Sequence, residues 1–274
     1  MSALRRAVEE YLALRRSLGF DLREVALWLR GFTTFADHEG ATHVTVDVAL
    51  RWATQSKAKE SVTRAARLQA VRGFARWRDA TDPRTEVPPS DLLPSHYHRK
   101  QPYLYSDEDI DRLLLAARQL RSPVGLRGLT YFTLLGVLVV TGLRVKEVVG
   151  LERQDVDLAE AVLTIRHTKF RKSRLVPIAE STRQALTSYA AERDRRLARR
   201  PTSAFFVAET GGRLTHWAVR DTFVKVSRQI GLRAALPGQR SGHGPRLHDL
   251  RHRFAVRTLV EWYRAGVNVE HHLP

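Results

Sequence analysis

The chain has 274 residues, and 46 Lys and Arg against 29 Asp and Glu give it a formal net charge of +17. A positive field of this size favours a polyanionic partner such as nucleic acid, and both halves of the chain contribute to it. The absence of cysteine excludes disulfides, thiolate nucleophiles and cysteine-ligated zinc. The N-terminus MSALRRAVEEY lacks the apolar core of a signal peptide, and the apolar run 129–140 is too short to span a bilayer. We therefore expect a soluble cytoplasmic protein without a membrane partner.

Apolar residues recur at spacings of three and four through the first part of the chain, which predicts four helices. They are expected over 3–19, 22–38, from about residue 45, and over 59–78. The fourth helix carries a stripe of arginines, with Glu60 as its only acid. Such a stripe is typical of a helix that lies against a phosphate backbone, although a solvated basic face has the same composition. The residues predicted to contact DNA are Arg64, Arg67, Arg72 and Arg76.

A change in composition divides the chain. Residues 82–102 hold five of the 11 prolines and show little periodicity, and proline disfavours both helix and strand. We predict a helical domain over 1–85, a linker over 86–103 and a second domain over 104–274.

The second domain is predicted to be mostly helical. Ser106 precedes three acids that suit a helix N-terminus, and the apolar run 129–140 predicts a buried helix. Residues 162–168 and 173–178 read as two strands joined by a hairpin turn at 169–172. Further helices are expected over 181–199, 215–231 and 248–265. The fold class is therefore mainly α with a small antiparallel β-sheet.

The stretch TGLRVKEVVG begins at Thr141, where the buried helix breaks. A glycine and an arginine at such a break suggest that Arg144 is held by rigid packing and directed inward. Its planar, permanently charged guanidinium suits a phosphate. An ordinary ion pair between Arg144 and Glu147 is the alternative.

Three basic elements occur in the order Thr-Gly-Leu-Arg144, hairpin Lys169, and His248-Asp-Leu-Arg251-His252. This order resembles the tyrosine recombinases, or phage integrase family, and the likeness extends over the whole bipartite chain. The segment HDLRHRFAVRTLVEWYRAG is most similar to integrases of mobile elements. The resemblance implies a helical, SAM-like core-binding domain, followed by a mostly helical catalytic domain with one small sheet.

The resemblance also implies a chemistry: strand cleavage through a 3′-phosphotyrosyl intermediate, followed by rejoining, on double-stranded DNA. Arg144 and Arg251 would clamp the scissile phosphate, Lys169 would protonate the leaving oxygen, and His248 would hydrogen-bond the phosphate or transfer a proton. The implied phosphate contacts of the turn are Arg171 and Lys172, and the supporting residues are Glu147 and His252. Full-length relatives would act as homo-oligomers on DNA. No cofactor is expected, because the phosphotyrosyl bond stores the reaction energy.

His248 and His252 lie four residues apart, a spacing that zinc can use, but neither an HExxH glutamate nor a cysteine accompanies them, and we predict no metal site.

The resemblance fails at the end of the chain. The family's later His or Trp and its nucleophilic tyrosine have no counterpart, and no tyrosine follows Tyr263. We therefore expect a recombinase that is truncated before its nucleophile and limited to DNA binding. A non-catalytic DNA-binding accessory or regulatory protein is the alternative function, and a topoisomerase of type IB is a third. RNA binding is less favoured, because no pattern of aromatic residues suited to stacking unpaired bases is evident.

Overall fold

The structure is a computed structural model, and it describes residues 2–55, 61–94, 101–166, 173–198, 202–233 and 244–271. The chain forms two compact units, 1–100 and 101–274, and the division between them lies inside the segment predicted as a linker.

The described residues of the first unit form four helices. They are α1 (Ala3–Ser17), α2 (Arg23–His38), α3 (Val46–Thr54) and α4 (Ser61–Asp79). The side chains of Ser2 and Thr45 accept backbone N–H groups at the first turns of α1 and α3, which satisfies donors that a helix start leaves unpaired. The apolar faces of the helices meet in one core around the fully buried Leu12, Phe32 and Phe74. Apolar periodicity alone therefore located these helices to within two residues or so at their described ends.

The proline-rich segment after α4 packs onto the first unit as far as residue 94. The Glu86 amide donates to the Val44 carbonyl at 2.8 Å, and the Glu86 carboxylate accepts from the Val46 amide at 2.7 Å. Val87, Leu92 and Leu93 pack against the helical core. The sequence predicted a linker from residue 86, whereas the structure shows this segment packed on the first unit. Proline prevents regular secondary structure, but it does not prevent apolar packing or hydrogen bonding by its carbonyl.

In the described part of the second unit there are nine helices and strands. They are α5 (Asp107–Arg118), α6 (Arg127–Thr141), α7 (Val145–Val149), β1 (Val156–Asp157), β2 (Val162–Ile165), β3 (Arg174–Pro177), α8 (Glu180–Arg196), α9 (His216–Gln229) and α10 (Leu247–Arg264). Short 3₁₀ turns occur at Arg153–Asp155 and Val269–His271.

The buried helix α6 is the centre of this unit. It packs against α5, α8 and α10, and Leu134 and Leu135 are almost completely inaccessible. Beside it, the strands form an antiparallel sheet in the order β1-β2-β3, in which Ile165 pairs with Arg174. The predicted fold class, mainly α with a small antiparallel sheet, is confirmed. The sequence did not predict β1, which has only two residues.

None of the helices within the described ranges is long and apolar enough to cross a membrane.

Arg72 does not fit the predicted row of DNA-facing arginines on α4. It is only 6 % exposed. Its guanidinium donates to the carbonyls of Pro88 and Pro89 at 2.7 and 2.5 Å and to the Gln69 side chain at 2.6 Å. Arg72 therefore attaches the proline-rich segment to α4, and we leave it out of the DNA-facing set.

We expect Arg72→Met to lower the free energy of unfolding by roughly 2 kcal/mol, because buried carbonyl acceptors would lose a charged donor. Arg76→Met makes the same chemical change at an exposed position of the same helix, and it should alter stability by less than about 0.5 kcal/mol. Urea unfolding followed by tryptophan fluorescence measures both. Equal midpoints for the two variants would contradict the structural role of Arg72.

Candidate active site

The turn at the end of α6 places the first site arginine. Gly142 has φ +60°, in the left-handed region that disfavours any residue with a Cβ. A Cβ at this position would also overlap the ring of Phe254, which lies on α10. The turn therefore needs a glycine for two independent reasons. It ends α6 and places Arg144 directly before α7.

Arg144 is bound to Glu147 but remains accessible. Its backbone N–H donates to Glu147 Oε2 and its Nη1 to Glu147 Oε1, both at 2.9 Å. The Arg144 side chain is 46 % exposed, whereas the Glu147 side chain is only 8 % exposed. Its Nε and Nη2 make no hydrogen bond to the described residues. The expected ion pair and an available guanidinium therefore coexist.

A third arginine, which the sequence did not predict, shares the same carboxylate. Arg174 begins β3, and its Nη1 and Nη2 donate to Glu147 Oε1 and Oε2 at 3.3 and 2.8 Å. Nothing local in the sequence indicates this pairing, because it joins residues 27 apart through the position of the sheet.

These hydrogen bonds determine the charge of Glu147. Burial alone would raise its pKa, but the bonds from Arg174 and Arg144 outweigh burial and hold the pKa below its ordinary value. Glu147 is therefore an ionised orienting group and not a proton donor.

Arg251 reaches the same turn from α10. Its Nη1 donates to the Gly142 carbonyl at 2.7 Å. Burial, and next the nearby Arg144 guanidinium, lower the pKa of Arg251 below its ordinary value, while Glu147 opposes the shift. The structure thus brings Arg144, Arg251 and Glu147 to one turn, and it adds Arg174.

His248 lies one helical turn before His252 on α10. The two rings are perpendicular, with centroids 4.9 Å apart. Partial desolvation of the imidazole lowers the pKa of His248, and the charges of His252 and Arg251 lower it further. The imidazole is therefore mainly neutral at pH 7. His248 is exposed and His252 is half-buried. Across the described residues, no group of three or more His, Asp or Glu side chains could hold a metal ion.

The remaining predicted residues fall into two groups. Arg64 and Arg67 on α4 are partly buried, and Arg76 is exposed. Arg67 lies over the Trp52 ring at 4.0 Å and donates to the Trp52 carbonyl at 3.0 Å. Lys169, Arg171 and Lys172 lie outside the described residues.

Known proteins share both the sequence and the fold. Residues 103–269 match the model of the phage integrase family. "Putative integrase/recombinase y4rB" of Sinorhizobium fredii is 47 % identical over 278 residues, which cover 100 % of this chain and 87 % of that protein. Tyrosine recombinase XerD of Pseudomonas aeruginosa is 32 % identical over 87 % of this chain and 75 % of its own length.

Solved structures share the fold. The Tn1549 transposon integrase in complex with transposon right end DNA superposes with a TM-score of 0.65 at 17 % identity, covering 97 % of this chain and 89 % of that one. XerH recombinase bound to its palindromic difH substrate gives a TM-score of 0.62 at 19 % identity, covering 87 % and 68 %.

The mainly α fold with its small sheet is the fold of these solved integrase and recombinase structures. The chain belongs to the phage integrase family, the tyrosine recombinases, and the resemblance seen in the sequence is confirmed. Its origin in a mobile element and its cytoplasmic location stay predictions.

We expect Gly142→Ala to lower the free energy of unfolding by roughly 2–4 kcal/mol, since it combines a left-handed backbone with overlap on Phe254. Gly136→Ala is the matched control, because a Cβ there meets nothing within 4 Å inside the same helix. It should be neutral or stabilising by up to about 1 kcal/mol. Urea midpoints measure both, and a stable Gly142→Ala variant would refute the steric requirement.

Proposed function

We propose that the second unit binds a DNA phosphodiester at the Gly142 turn, and that this polypeptide takes part in site-specific recombination as a DNA-binding member of a family whose reaction is the tyrosine-recombinase mechanism. One observation carries the proposal: Arg144 follows this turn by two residues, while Arg251 donates to its carbonyl from a helix more than a hundred residues away. Among the structural relatives is a lambda integrase tetramer bound to a Holliday junction, with a TM-score of 0.63. That relative supports assembly of this chain into homo-oligomers on double-stranded DNA.

The chemistry follows from charge. Attack on a phosphodiester builds negative charge on the non-bridging oxygens, and guanidinium groups fixed in advance stabilise it without reorganisation. Arg144 and Arg251 take this role. Lys169 would protonate the leaving 5′-oxygen, and the mainly neutral His248 would exchange a proton with the attacking group. Arg64, Arg67 and Arg76 of the first unit, with Arg171 and Lys172, would contact flanking phosphates.

The residues named so far do not include the nucleophile that attacks the phosphate. Tyr263, the last tyrosine of the sequence, is 72 % exposed and lies on the same helix as Arg251. Twelve residues of helix separate the two by about 18 Å, which prevents their side chains from meeting at one phosphate. Tyr103 donates its hydroxyl to Asp109, which raises its pKa and opposes formation of a phenolate. We therefore propose that this polypeptide binds DNA without cleaving it.

The binding step is tested with a duplex selected from a random library by the intact chain. Each phosphate is then replaced in turn by a neutral methylphosphonate, and affinity is measured at fixed salt. At one phosphate, neutralisation should weaken binding of the native protein about tenfold, since it removes charge-assisted hydrogen bonds. Neutralisation should have little further effect on Arg144→Ala or Arg251→Ala.

Arg183→Ala is the control, because Arg183 forms an exposed ion pair with Glu180 on α8 and carries the same charge. This variant should keep the native pattern. If Arg144→Ala and Arg251→Ala also keep it, the phosphate site is wrong and a DNA-binding accessory protein is favoured.

The cleavage step is tested with a nicked suicide form of the same duplex, which traps a phosphotyrosyl adduct. We expect no covalent protein–DNA band on a denaturing gel, because no described tyrosine stands beside the arginine cluster with a free hydroxyl. A band would contradict this expectation, and its loss in Tyr263→Phe would identify the nucleophile.

A further inference from the structure

We propose that Arg174 is a positioning residue for Arg144: by occupying both oxygens of Glu147, it keeps the Arg144 guanidinium available for a DNA phosphate. This inference rests on the proposed function and adds a residue and a device to it. Arg174 need not touch DNA in order to act.

Glu147 is the shared acceptor of two arginines. Its nearly buried carboxylate receives Arg174 through both Nη atoms, at 3.3 and 2.8 Å. Arg144 uses one side-chain nitrogen, Nη1, at 2.9 Å on the same Oε1, and its backbone N–H binds Oε2. Arg174 therefore binds both carboxylate oxygens through its guanidinium, whereas the Arg144 guanidinium makes a single hydrogen bond to Glu147.

A carboxylate favours a guanidinium that donates to both of its oxygens, and this preference explains how Arg174 affects Arg144. A guanidinium offers five N–H donors, and it pairs most strongly with a carboxylate through two parallel bonds. Without Arg174, the buried carboxylate of Glu147 would have only Arg144 as a hydrogen-bonding partner. Arg144 would then rotate to make both of these bonds to Glu147. Its N–H donors would no longer be available to a phosphate.

The sheet fixes Arg174 for this task. Arg174 pairs with Ile165 of β2 in the antiparallel register, and Ile165 is buried in the core of the unit. The Arg174 side chain is 39 % exposed. Its backbone is therefore held by the fold, while its head group lies at the surface where Arg144 and Arg251 meet.

The charges around Glu147 also support a positioning role for Arg174. Three guanidinium groups surround one carboxylate, and the charges of Arg144 and Arg174 both lower the pKa of Arg251. The excess of positive charge is what an anion between these side chains would neutralise. Arg174 thus neutralises the negative charge of Glu147 and leaves the positive charge of Arg144 available to a phosphate.

The test uses the selected duplex and the methylphosphonate scan described above. In Arg174→Met, the phosphate that is sensitive in the native protein should lose most of its roughly tenfold effect, while flanking phosphates keep theirs. Arg174→Lys retains the charge but not the fork, so it should restore the sensitivity only in part.

The double variant Arg174→Met with Glu147→Gln separates positioning from simple damage. Without the carboxylate, nothing draws Arg144 away, and the amide oxygen can still accept the Arg144 backbone N–H. Sensitivity at that phosphate should therefore return, at least severalfold, relative to Arg174→Met alone. A double variant no more sensitive than Arg174→Met would overturn the proposal and favour direct DNA contact or local unfolding.

Arg166→Met is the matched control, because Arg166 follows β2 and pairs with Asp155, another buried carboxylate. It should leave the phosphate pattern unchanged, and an identical loss in this variant would overturn the specific role of Arg174. If the native protein has no phosphate that depends on Arg144, the proposed function fails and this inference fails with it. If such a phosphate exists but Arg174→Met leaves it unchanged, only this inference fails.

Discussion

The site depends on one ionised carboxylate that is nearly removed from water. Glu147 would be costly to bury alone, and the structure stabilises it with donors from Arg174 of β3 and from Arg144 in the turn that precedes α7. These two residues belong to different parts of the second unit, so the charge of Glu147 on α7 fixes β3 and the turn relative to each other. Arg251 completes the arrangement through a backbone carbonyl and competes with none of these donors for the carboxylate.

Arginine performs two separate tasks in this chain, and composition does not distinguish them. Arg193 and Arg253 are buried, and they donate to the carbonyls of Phe205 and Tyr105 at 2.8 and 2.9 Å. Arg72 does the same in the first unit. These side chains count toward the net charge of +17, but they stabilise the interior by donating hydrogen bonds to backbone carbonyls. Exposed arginines, such as Arg144 at the Gly142 turn and Arg76 on α4, can offer their charge to a polyanion.

The sequence predicted what depends on local spacing or on a motif. Apolar periodicity located the long helices, and the Thr-Gly-Leu-Arg and His-x-Leu-Arg motifs identified Arg144 and Arg251, which the structure brings to one turn. Arg174 and the burial of Arg72 were not predictable, because each depends on a partner 16 to 27 residues away whose position is set by packing. A strand as short as β1 shows no period at all.

The contact between Gly142 and Phe254 limits which substitutions the turn can accept. Two conditions keep the turn as it is, one in the backbone dihedral and one in the space that the aromatic ring fills. A smaller residue at 254 would relieve the second condition and leave the first. Gly142 would therefore still be required after a change at residue 254, and its contact with Phe254 joins the start of α7 to the middle of α10.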